Sequence, residues 1–234
     1  MVWLKQPSVE VNYKYWQDKT ALHIAAETND IEVIQLLLAN QELDVNCKDN
    51  RDWTALHTAS AKNNVEAIQL LLTNQKLDVN CQTILGSTAL HLAVNKNHVE
   101  AMQMLLTNQK TDVNVENNLG ETVLLLETNS VATMQVLLAN QRVDANSTNN
   151  DGNTALHVAA IKDDVESIRI LLAHPDFISA NHRNMEGYTP AMMAEGQQKV
   201  SLRELVSHQS FDLNILDGDE LRSLSQIATW FVGH

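Results

Sequence analysis

Four histidines recur at one position of a repeated tetrapeptide, and histidine is a common proton-transfer residue and metal ligand. Each ends a Thr-Ala-Leu-His segment; they are His23, His57, His91 and His157. Because each lies in a separate copy of the repeat, stacked copies would place them about 10 Å apart, roughly one helix-packing distance. A zinc–nitrogen bond is only about 2.1 Å long. We therefore expect no metal site here and a structural role for these side chains.

The two cysteines, Cys47 and Cys81, raise the question of a disulfide or a zinc site. They occupy equivalent positions of neighbouring repeats, which predicts a backbone separation of about 8–10 Å. A disulfide needs Cα atoms about 4.4–6.8 Å apart, and two thiols are too few for a structural zinc site. We predict that both are reduced thiols, which is usual for an intracellular protein.

Motifs typical of enzymes are missing from the sequence. It contains no glycine-rich phosphate-binding loop, no Gly-x-Ser-x-Gly segment and no His-Glu-x-x-His segment. The acidic pair Asp163 and Asp164, and the pair Asp217 and Asp219, fit turns and helix starts. We predict that the chain is not an enzyme and that it uses no metal and no cofactor.

Composition and charge exclude some classes of partner. The formal net charge is -13, from 16 Lys and Arg against 29 Asp and Glu, whereas binding to DNA or RNA depends on clustered basic residues. The charge favours solubility, with a basic partner as the alternative. No apolar run could span a bilayer, and no basic-then-apolar leader is present. We expect no nucleic acid and no membrane as partner, and a cytoplasmic or nuclear location.

An internal repeat positions all of these residues. Its anchor is the threonine of Thr-Ala-Leu-His, and Thr20, Thr54 and Thr88 are 34 residues apart. An Asp-Val-Asn segment precedes the anchors, and a Val-Glu segment followed by leucines comes after them. This pattern predicts a first helix capped by the threonine, a polar turn, and a second helix with apolar residues at helical spacing. We predict that the second helix ends at Asn40 and its equivalents, because Asn tolerates the left-handed conformation.

Units of this size cannot bury the apolar faces of two helices alone, so they must stack around one core. We predict a single domain, 1–234, built as an all-α repeat solenoid of helix-turn-helix units. Six units are anchored at Thr20, Thr54, Thr88, Thr122, Thr154 and Thr189. Residues 1–12 match the tail of a preceding partial unit, and residues 213–234 match a C-terminal capping half-unit.

The fourth unit is irregular. It begins at Thr122, lacks the histidine, and has a turn two residues shorter than the others. One interpretation is a tightened loop in which Leu125 fills the histidine site; the other is a bend in the stack. In the first two units Asp18 and Asp52 stand where later units have glycine, and Asp can adopt the same left-handed conformation at some cost.

Three segments recur in register: Thr-Ala-Leu-His-x-Ala-Ala, Val-Glu-x-Ile-x-Leu-Leu-Leu and Asp-Val-Asn. Together they resemble the ankyrin repeat over essentially the whole chain. The resemblance implies β-hairpin fingers that project from the helix pairs, with fingers and first helices lining a concave face. It also implies that the repeated histidine bonds backbone groups and ties neighbouring units together. We therefore expect another protein as the partner of a chain that is monomeric by itself.

The same resemblance places the partner contacts at the finger tips and at the ends of the first helices. The predicted partner-binding residues are Trp16, Lys19, Arg51, Trp53, Ile84, Leu85, Leu119 and Tyr188. Exposed aromatic and arginine side chains are typical of interface hot spots, and a contiguous apolar strip indicates a surface that is covered by a partner. The alternative is that each side chain packs on its neighbouring finger.

We predict a non-catalytic protein–protein interaction module, acting as a scaffold, an adaptor or an inhibitor. The alternative is a targeting or substrate-recognition domain of a larger enzyme or of a bacterial effector. One modification is also suggested, at Asn46, Asn80, Asn114 and Asn146. Each lies two residues after an Asp and eight after a Leu, which resembles the sites that an iron- and 2-oxoglutarate-dependent asparaginyl hydroxylase modifies in ankyrin proteins. The alternative is that these side chains only brace the hairpin through local hydrogen bonds.

Overall fold

The structure is a computed structural model, and it describes residues 10–126, 130–176 and 180–194 together with residues 204, 205 and 207. The chain divides into two compact bodies, an N-terminal body (Met1–Thr128) and a C-terminal body (Asn129–His234). The single domain over 1–234 stays a prediction. The capping half-unit at 213–234 and residues 1–9 of the predicted tail lie outside the described residues.

The described part of the N-terminal body contains three helix pairs. Its helices are α1 (Ala21–Thr28), α2 (Ile31–Leu38), α3 (Ala55–Lys62), α4 (Val65–Leu72), α5 (Ala89–Asn95) and α6 (Val99–Thr107). First helices pack on first helices, α1 on α3 and α3 on α5, and second helices pack on second helices in the same order. Within each unit the two helices also contact each other. This is the predicted all-α repeat solenoid of helix-turn-helix units.

The C-terminal body continues the same pattern. Its described helices are α7 (Val131–Leu138), α8 (Ala155–Lys162), α9 (Val165–Ala173) and α10 (Pro190–Ala194). Helix α8 packs on α9 and α10, and α7 packs on α9. Among the described helices of both bodies, none is long and apolar enough to cross a membrane.

The core of the N-terminal body is built from the same positions in every unit. Leu22, Leu56 and Leu90 are buried on the first helices. The buried positions of the second helices are Ile34 and Leu37, Ile68 and Leu71, and Met102 and Leu105. Burial of such a side chain stabilises the fold by about 1.5–3 kcal/mol, so stacking equivalent leucines stabilises each unit through its neighbours.

The predicted left-handed residue lies at the end of the first helix instead of the second. Asn29 (φ 55°) ends α1 and Asn63 (φ 59°) ends α3, whereas Ala39 after α2 is right-handed. The second helix does end just before Asn40, at Leu38, but the predicted left-handed conformation of Asn40 is wrong, because Asn40 is not among the residues with positive φ. Its side-chain oxygen accepts a hydrogen bond of 2.9 Å from the Glu42 N–H, which stabilises the loop after the helix.

In the fourth unit, residues 122–126 form a turn where the pattern predicts the start of a helix. Leu125 N–H bonds Thr122 O at 3.0 Å, and the Leu125 side chain is only 1% exposed. An apolar side chain at the histidine position is thus accommodated in the core, as the tightened-loop interpretation requires. The bend in the stack stays a prediction.

The predicted hairpin fingers are single tight turns, and the described residues contain no β-strand. Asp49 N–H bonds Trp53 O at 2.8 Å, and Thr83 N–H bonds Ser87 O at 3.0 Å. The only bridge in the described part of the chain joins Thr148 and Thr154. The fingers are too short for a strand ladder, and their left-handed residues, such as Asp52 (φ 59°), close the turns as predicted.

Ser60 on α3 is expected to limit the stability of the N-terminal body. Its hydroxyl is fully buried and has no hydrogen-bond partner among the described residues, whereas the equivalent position of the first unit holds Ala26, also fully buried. Because an unsatisfied buried hydroxyl costs about 1–3 kcal/mol, we predict that Ser60→Ala raises the free energy of unfolding by about 1 kcal/mol. Urea unfolding measures it.

The matched control is Thr58→Val on the same helix. The Thr58 hydroxyl is also buried but donates to Thr54 O at 3.3 Å, so its removal should bring no gain. Equal effects of the two substitutions, or a loss of stability in Ser60→Ala, would contradict the prediction.

Candidate functional site

The repeated histidines tie each unit to the next. Thr20 N–H donates to His23 Nδ1 at 3.1 Å, and His23 Nε2 lies 2.8 Å from Trp53 O in the following finger. Because a backbone N–H can only donate, Nδ1 accepts, and Nε2 must carry the proton that it donates to the carbonyl. Equivalent Nε2 bonds run from His57 to Ser87 O, from His91 to Glu121 O and from His157 to Tyr188 O. The structural role implied by the resemblance is therefore present.

Burial keeps these imidazoles neutral. Desolvation lowers the pKa of His57 to about 4, against a partial opposing effect of the hydrogen bond to Ser87 O. The pKa of His157 is likewise lowered to about 4 by burial, and burial lowers the pKa of His23 and His91 too. Within the described residues, no group of three or more His, Cys, Asp or Glu is arranged to hold a metal ion.

Both cysteines are free thiols, as predicted. The Cys47 thiol donates to Asp44 Oδ2 at 3.5 Å, and the Cys81 thiol to Asp78 Oδ2 at 3.4 Å. Burial, followed by the adjacent carboxylate, raises the pKa of each thiol to about 11. Since the thiolate is the reactive species, these cysteines are poor nucleophiles.

The candidate hydroxylation sites form a ladder of amides between successive loops. Asn46 Nδ2 donates to Lys76 O at 2.8 Å, and Asn46 Oδ1 accepts from Asp78 N–H at 2.8 Å. Asn80 makes the same two bonds to Lys110 O and Asp112 N–H. In the C-terminal body Asn146 Nδ2 donates to Asp176 O, while Asn114 N–H bonds Asp112 Oδ1. The side chains of Asn46, Asn80 and Asn146 therefore brace neighbouring units, and the local bonds to the preceding Asp are additional.

Hydroxylation itself stays a prediction. The side-chain amides of Asn46 and Asn80 bond the neighbouring loop through both their nitrogen and their oxygen. These bonds must break before a hydroxylase can bind the loop that carries the asparagine. We expect one added oxygen at these residues in protein isolated from a host that has such a hydroxylase. Mass spectrometry of the tryptic peptides measures it, with protein from a host that lacks the enzyme as control. Unmodified peptides from the native source would refute the prediction.

The finger tips of the N-terminal body expose large apolar side chains. Trp16 is 81% exposed, Ile84 58%, Leu85 69% and Leu119 64%. Backbone bonds join the tips in sequence: Asn50 N–H to Gln17 O, Ile84 N–H to Arg51 O and Asn118 N–H to Leu85 O, at 3.0–3.2 Å. The four apolar side chains therefore project from one continuous row of fingers, which we call the finger row.

Two predicted contact residues in the finger row pack on their own chain. The Arg51 guanidinium lies 4.1 Å above the Trp53 ring, so Trp53 is half-buried. Lys19 Nζ forms an ion pair with Glu27 Oε2 at 2.7 Å. Tyr188 is exposed but belongs to the C-terminal body, in which Met185 is also exposed. Trp53 thus packs beneath Arg51 of its own finger, which is not the packing on a neighbouring finger that the alternative describes, while Arg51 remains exposed above it.

Three exposed apolar side chains of the N-terminal body were not predicted as contacts. Tyr13 and Tyr15 stand edge to face with ring centroids 4.9 Å apart, and both are exposed. Ile24 is exposed on α1. The two tyrosines lie two residues apart, directly before Trp16 of the first finger. This spacing, which in extended backbone places two side chains on the same face, is the signal that could have indicated them as contacts.

Comparison with known families agrees with this architecture. A family model of ankyrin repeats in three copies matches residues 2–83 and 124–217, and a model of ankyrin repeats in many copies matches residues 71–125. No curated protein sequence matches the chain.

Solved structures give the same result. The chain is similar to the ankyrin repeat domain of Bcl-3, a member of the IkappaB protein family, with a TM-score of 0.75, 26% identity, and coverage of 84% of this chain and 86% of that one. It is similar to an ankyrin repeat domain (ABAYE2397) from Acinetobacter baumannii AYE, with a TM-score of 0.70, 27% identity, and coverage of 79% and 95%. The ankyrin repeat protein EF0377 (TM-score 0.66, 24% identity, coverage of 73% and 88%) shares the fold.

Proposed function

Since the chain belongs to the ankyrin repeat family, we propose that it is a non-catalytic protein-binding module that serves as a scaffold, an adaptor or an inhibitor. Ankyrin repeats are generally protein–protein interaction modules. The proposal rests above all on the apolar tips of the finger row, because soluble proteins rarely leave a contiguous apolar patch uncovered without a functional reason.

The proposed contact residues are those of the finger row, Trp16, Arg51, Ile84, Leu85 and Leu119, with Tyr188 in the C-terminal body. The fingers themselves are fixed by the histidine bonds below them, such as His57 to Ser87 O, so the side chains at the tips are presented on a preorganised backbone. A preorganised surface loses little conformational entropy on binding, which favours affinity. This arrangement supports a rigid module whose partner adapts to it.

We predict that Leu85→Ala combined with Leu119→Ala weakens partner binding about 100-fold. Each truncation removes an anchor that a partner would bury, worth about 1–2 kcal/mol, whereas both side chains are more than 60% exposed in the free chain and contribute little to its stability. The measurement is quantitative capture and affinity of the native partner, wild type against variant, with thermal melting and circular dichroism alongside.

The matched control is Gln69→Ala with Gln103→Ala, at exposed positions of α4 and α6 on the second helices. It should leave binding and melting unchanged. The proposal would be defeated by unaltered binding in the leucine variant, or by an equal loss in the glutamine variant. Trp53→Ala is a poorer probe, because it also removes the support beneath Arg51.

A further inference from the structure

The charges of the first three units are divided between two sides. In the first three units, the fingers and first helices (13–28, 47–62 and 81–96) carry six cationic and four acidic residues. The second helices and the loops that follow (29–46, 63–80 and 97–114) carry two cationic and eight acidic residues. We call these the finger side and the outer side. The negative charge of this region is thus concentrated on the outer side, and the finger side has a cationic excess.

Asp49 and Glu27, two of the four acids of the finger side, are held by hydrogen bonds within the chain. Asp49 is buried, and its Oδ1 accepts from Arg51 N–H at 2.8 Å and from Trp53 N–H at 2.9 Å. Glu27 lies between Lys19 Nζ at 2.7 Å and Lys62 Nζ at 3.8 Å. Because these two carboxylates are already bonded, they cannot attract a basic partner strongly.

Arg51 and Lys96 are among the exposed cations of the finger side. The Arg51 side chain is exposed, is held over the Trp53 ring at 4.1 Å, and makes only a long contact of 3.4 Å with Asp49 Oδ2. Lys96 is exposed at the end of α5 and forms no ion pair within the described residues. A guanidinium fixed on an aromatic face retains N–H groups at its edge, which suit a carboxylate in a bidentate pair.

Apolar side chains flank Arg51 on both neighbouring fingers. Trp16 is on the finger before it, and Ile84 and Leu85 are on the finger after it, joined to Arg51 through the bond from Ile84 N–H to Arg51 O at 3.2 Å. Fingers repeat at about 8–10 Å, one helix-packing distance. The two apolar positions are therefore separated by about 16–20 Å, which an extended chain covers in about six residues.

We propose that the finger row binds an extended polypeptide segment in which acidic side chains, placed to reach Arg51, lie between two apolar side chains about six residues apart. One apolar side chain packs on Trp16 and the other on Ile84 and Leu85. The inference rests on the proposed function and adds the chemistry of the partner. It assigns an acidic, apolar-flanked partner to a protein whose net charge of -13 favours a basic one.

A random peptide library displayed on phage, selected on the immobilised full chain, tests the assignment. We expect the selected peptides to carry Asp or Glu between apolar residues, and to bind at least ten times more weakly when the acids are replaced by Lys. Arg51→Glu should weaken these peptides at least tenfold, and Arg51→Lys should weaken them less. High salt should weaken them also, because exposed charges are screened within about 3 Å at 1 M.

The matched control is Lys110→Glu, which makes the same change of charge on the outer side and should leave binding unchanged. Selected peptides that are basic or uncharged, and that still lose binding in Leu85→Ala, would overturn the acidic assignment while leaving the proposed function intact. Peptides that are indifferent to both Arg51→Glu and Leu85→Ala, or a selection that enriches none, would also overturn the assignment. The proposed function is then decided by its own test with the native partner.

Discussion

Lowering the pH from 7.5 to 4.5 is expected to remove about 2.5 kcal/mol of stability for each anchor histidine whose pKa is about 4. These are His57 in the N-terminal body and His157 in the C-terminal body. In the unfolded chain each imidazole takes up a proton near its ordinary pKa of 6.5, whereas the folded chain does not until about pH 4. Between these two pH values the unfolded state thus binds more protons than the folded state, so the free energy of unfolding decreases as the pH is lowered.

Burial is the main cause of this direction, because desolvation lowers the pKa of His57 while its hydrogen bond to Ser87 O partly opposes the shift. A proton on Nδ1 of His57 would face the Thr54 N–H that now donates to it at 3.1 Å, so protonation is incompatible with the folded arrangement. The contribution of the histidine is complete above about pH 7 and is lost progressively as the pH falls towards 4. About half of the loss, roughly 1.3 kcal/mol per histidine, should be present at pH 5.5. His23 and His91, whose pKa values are also lowered, change stability in the same direction.

Urea unfolding from pH 7.5 to 4.5 measures the effect, and His57→Gln is its control. Glutamine at this helix position can still accept the bond from the capping residue's N–H, but it does not titrate. The variant should start less stable at pH 7.5 and show a shallower fall with pH than the wild type. Parallel curves for the two proteins, or a His57 imidazole that titrates near pH 6.5 by NMR, would rule out the assignment.

Gly86→Ala is expected to destabilise the N-terminal body by about 2–5 kcal/mol. Gly86 closes the third finger at φ +76°, where a side chain is strained by about 1–2 kcal/mol. In addition, a Cβ would lie 2.6 Å from Asn118 N and 2.5 Å from Asn118 Oδ1 on the next finger. The fingers would have to separate, which weakens the bond from Asn118 N–H to Leu85 O and costs about 1–3 kcal/mol more.

The strain and the clash can be separated within the same chain. Gly187 has a similar φ of +85°, but a Cβ there would meet none of the described residues within 4 Å, so Gly187→Ala should cost only the strain of about 1–2 kcal/mol. Urea or thermal unfolding of both variants gives the difference. A smaller loss in Gly86→Ala than in Gly187→Ala would mean that the contact between the third and fourth fingers is not close in solution.

The sequence predicted the helix pairs and the anchors because their signals repeat. In each unit that carries both, the anchor Thr and His make the same hydrogen bonds, as Thr54 and His57 do. The recurrence of these two residues in the sequence therefore marks equivalent positions of successive units. The left-handed residue was misassigned because Asn29 and Asn40 are the same residue type in two neighbouring turns. Residue type alone does not say whether an Asn takes a left-handed backbone or caps a loop through its side chain.

The candidate site was less predictable, because exposure depends on three-dimensional neighbours. Nothing in the spacing of Arg51 and Trp53 shows that one stacks on the other, and this stacking changes which of them a partner can reach. The charge division was hidden for a related reason. The net charge sums over the chain, whereas the six cations of the finger side are brought together only when the units stack.

The bonds between neighbouring units of the N-terminal body have an evolutionary consequence. They join residues 30 to 38 positions apart, as in His23 to Trp53 O and Asn64 to Ala26 O. A tandem duplication of one 34-residue block would therefore bring both the donor and the acceptor of every such bond, and could lengthen the array without any compensating mutation. Meanwhile the apolar side chains at the tips, which these bonds do not use, are free to diverge in each copy, so new binding specificities can arise by drift after duplication.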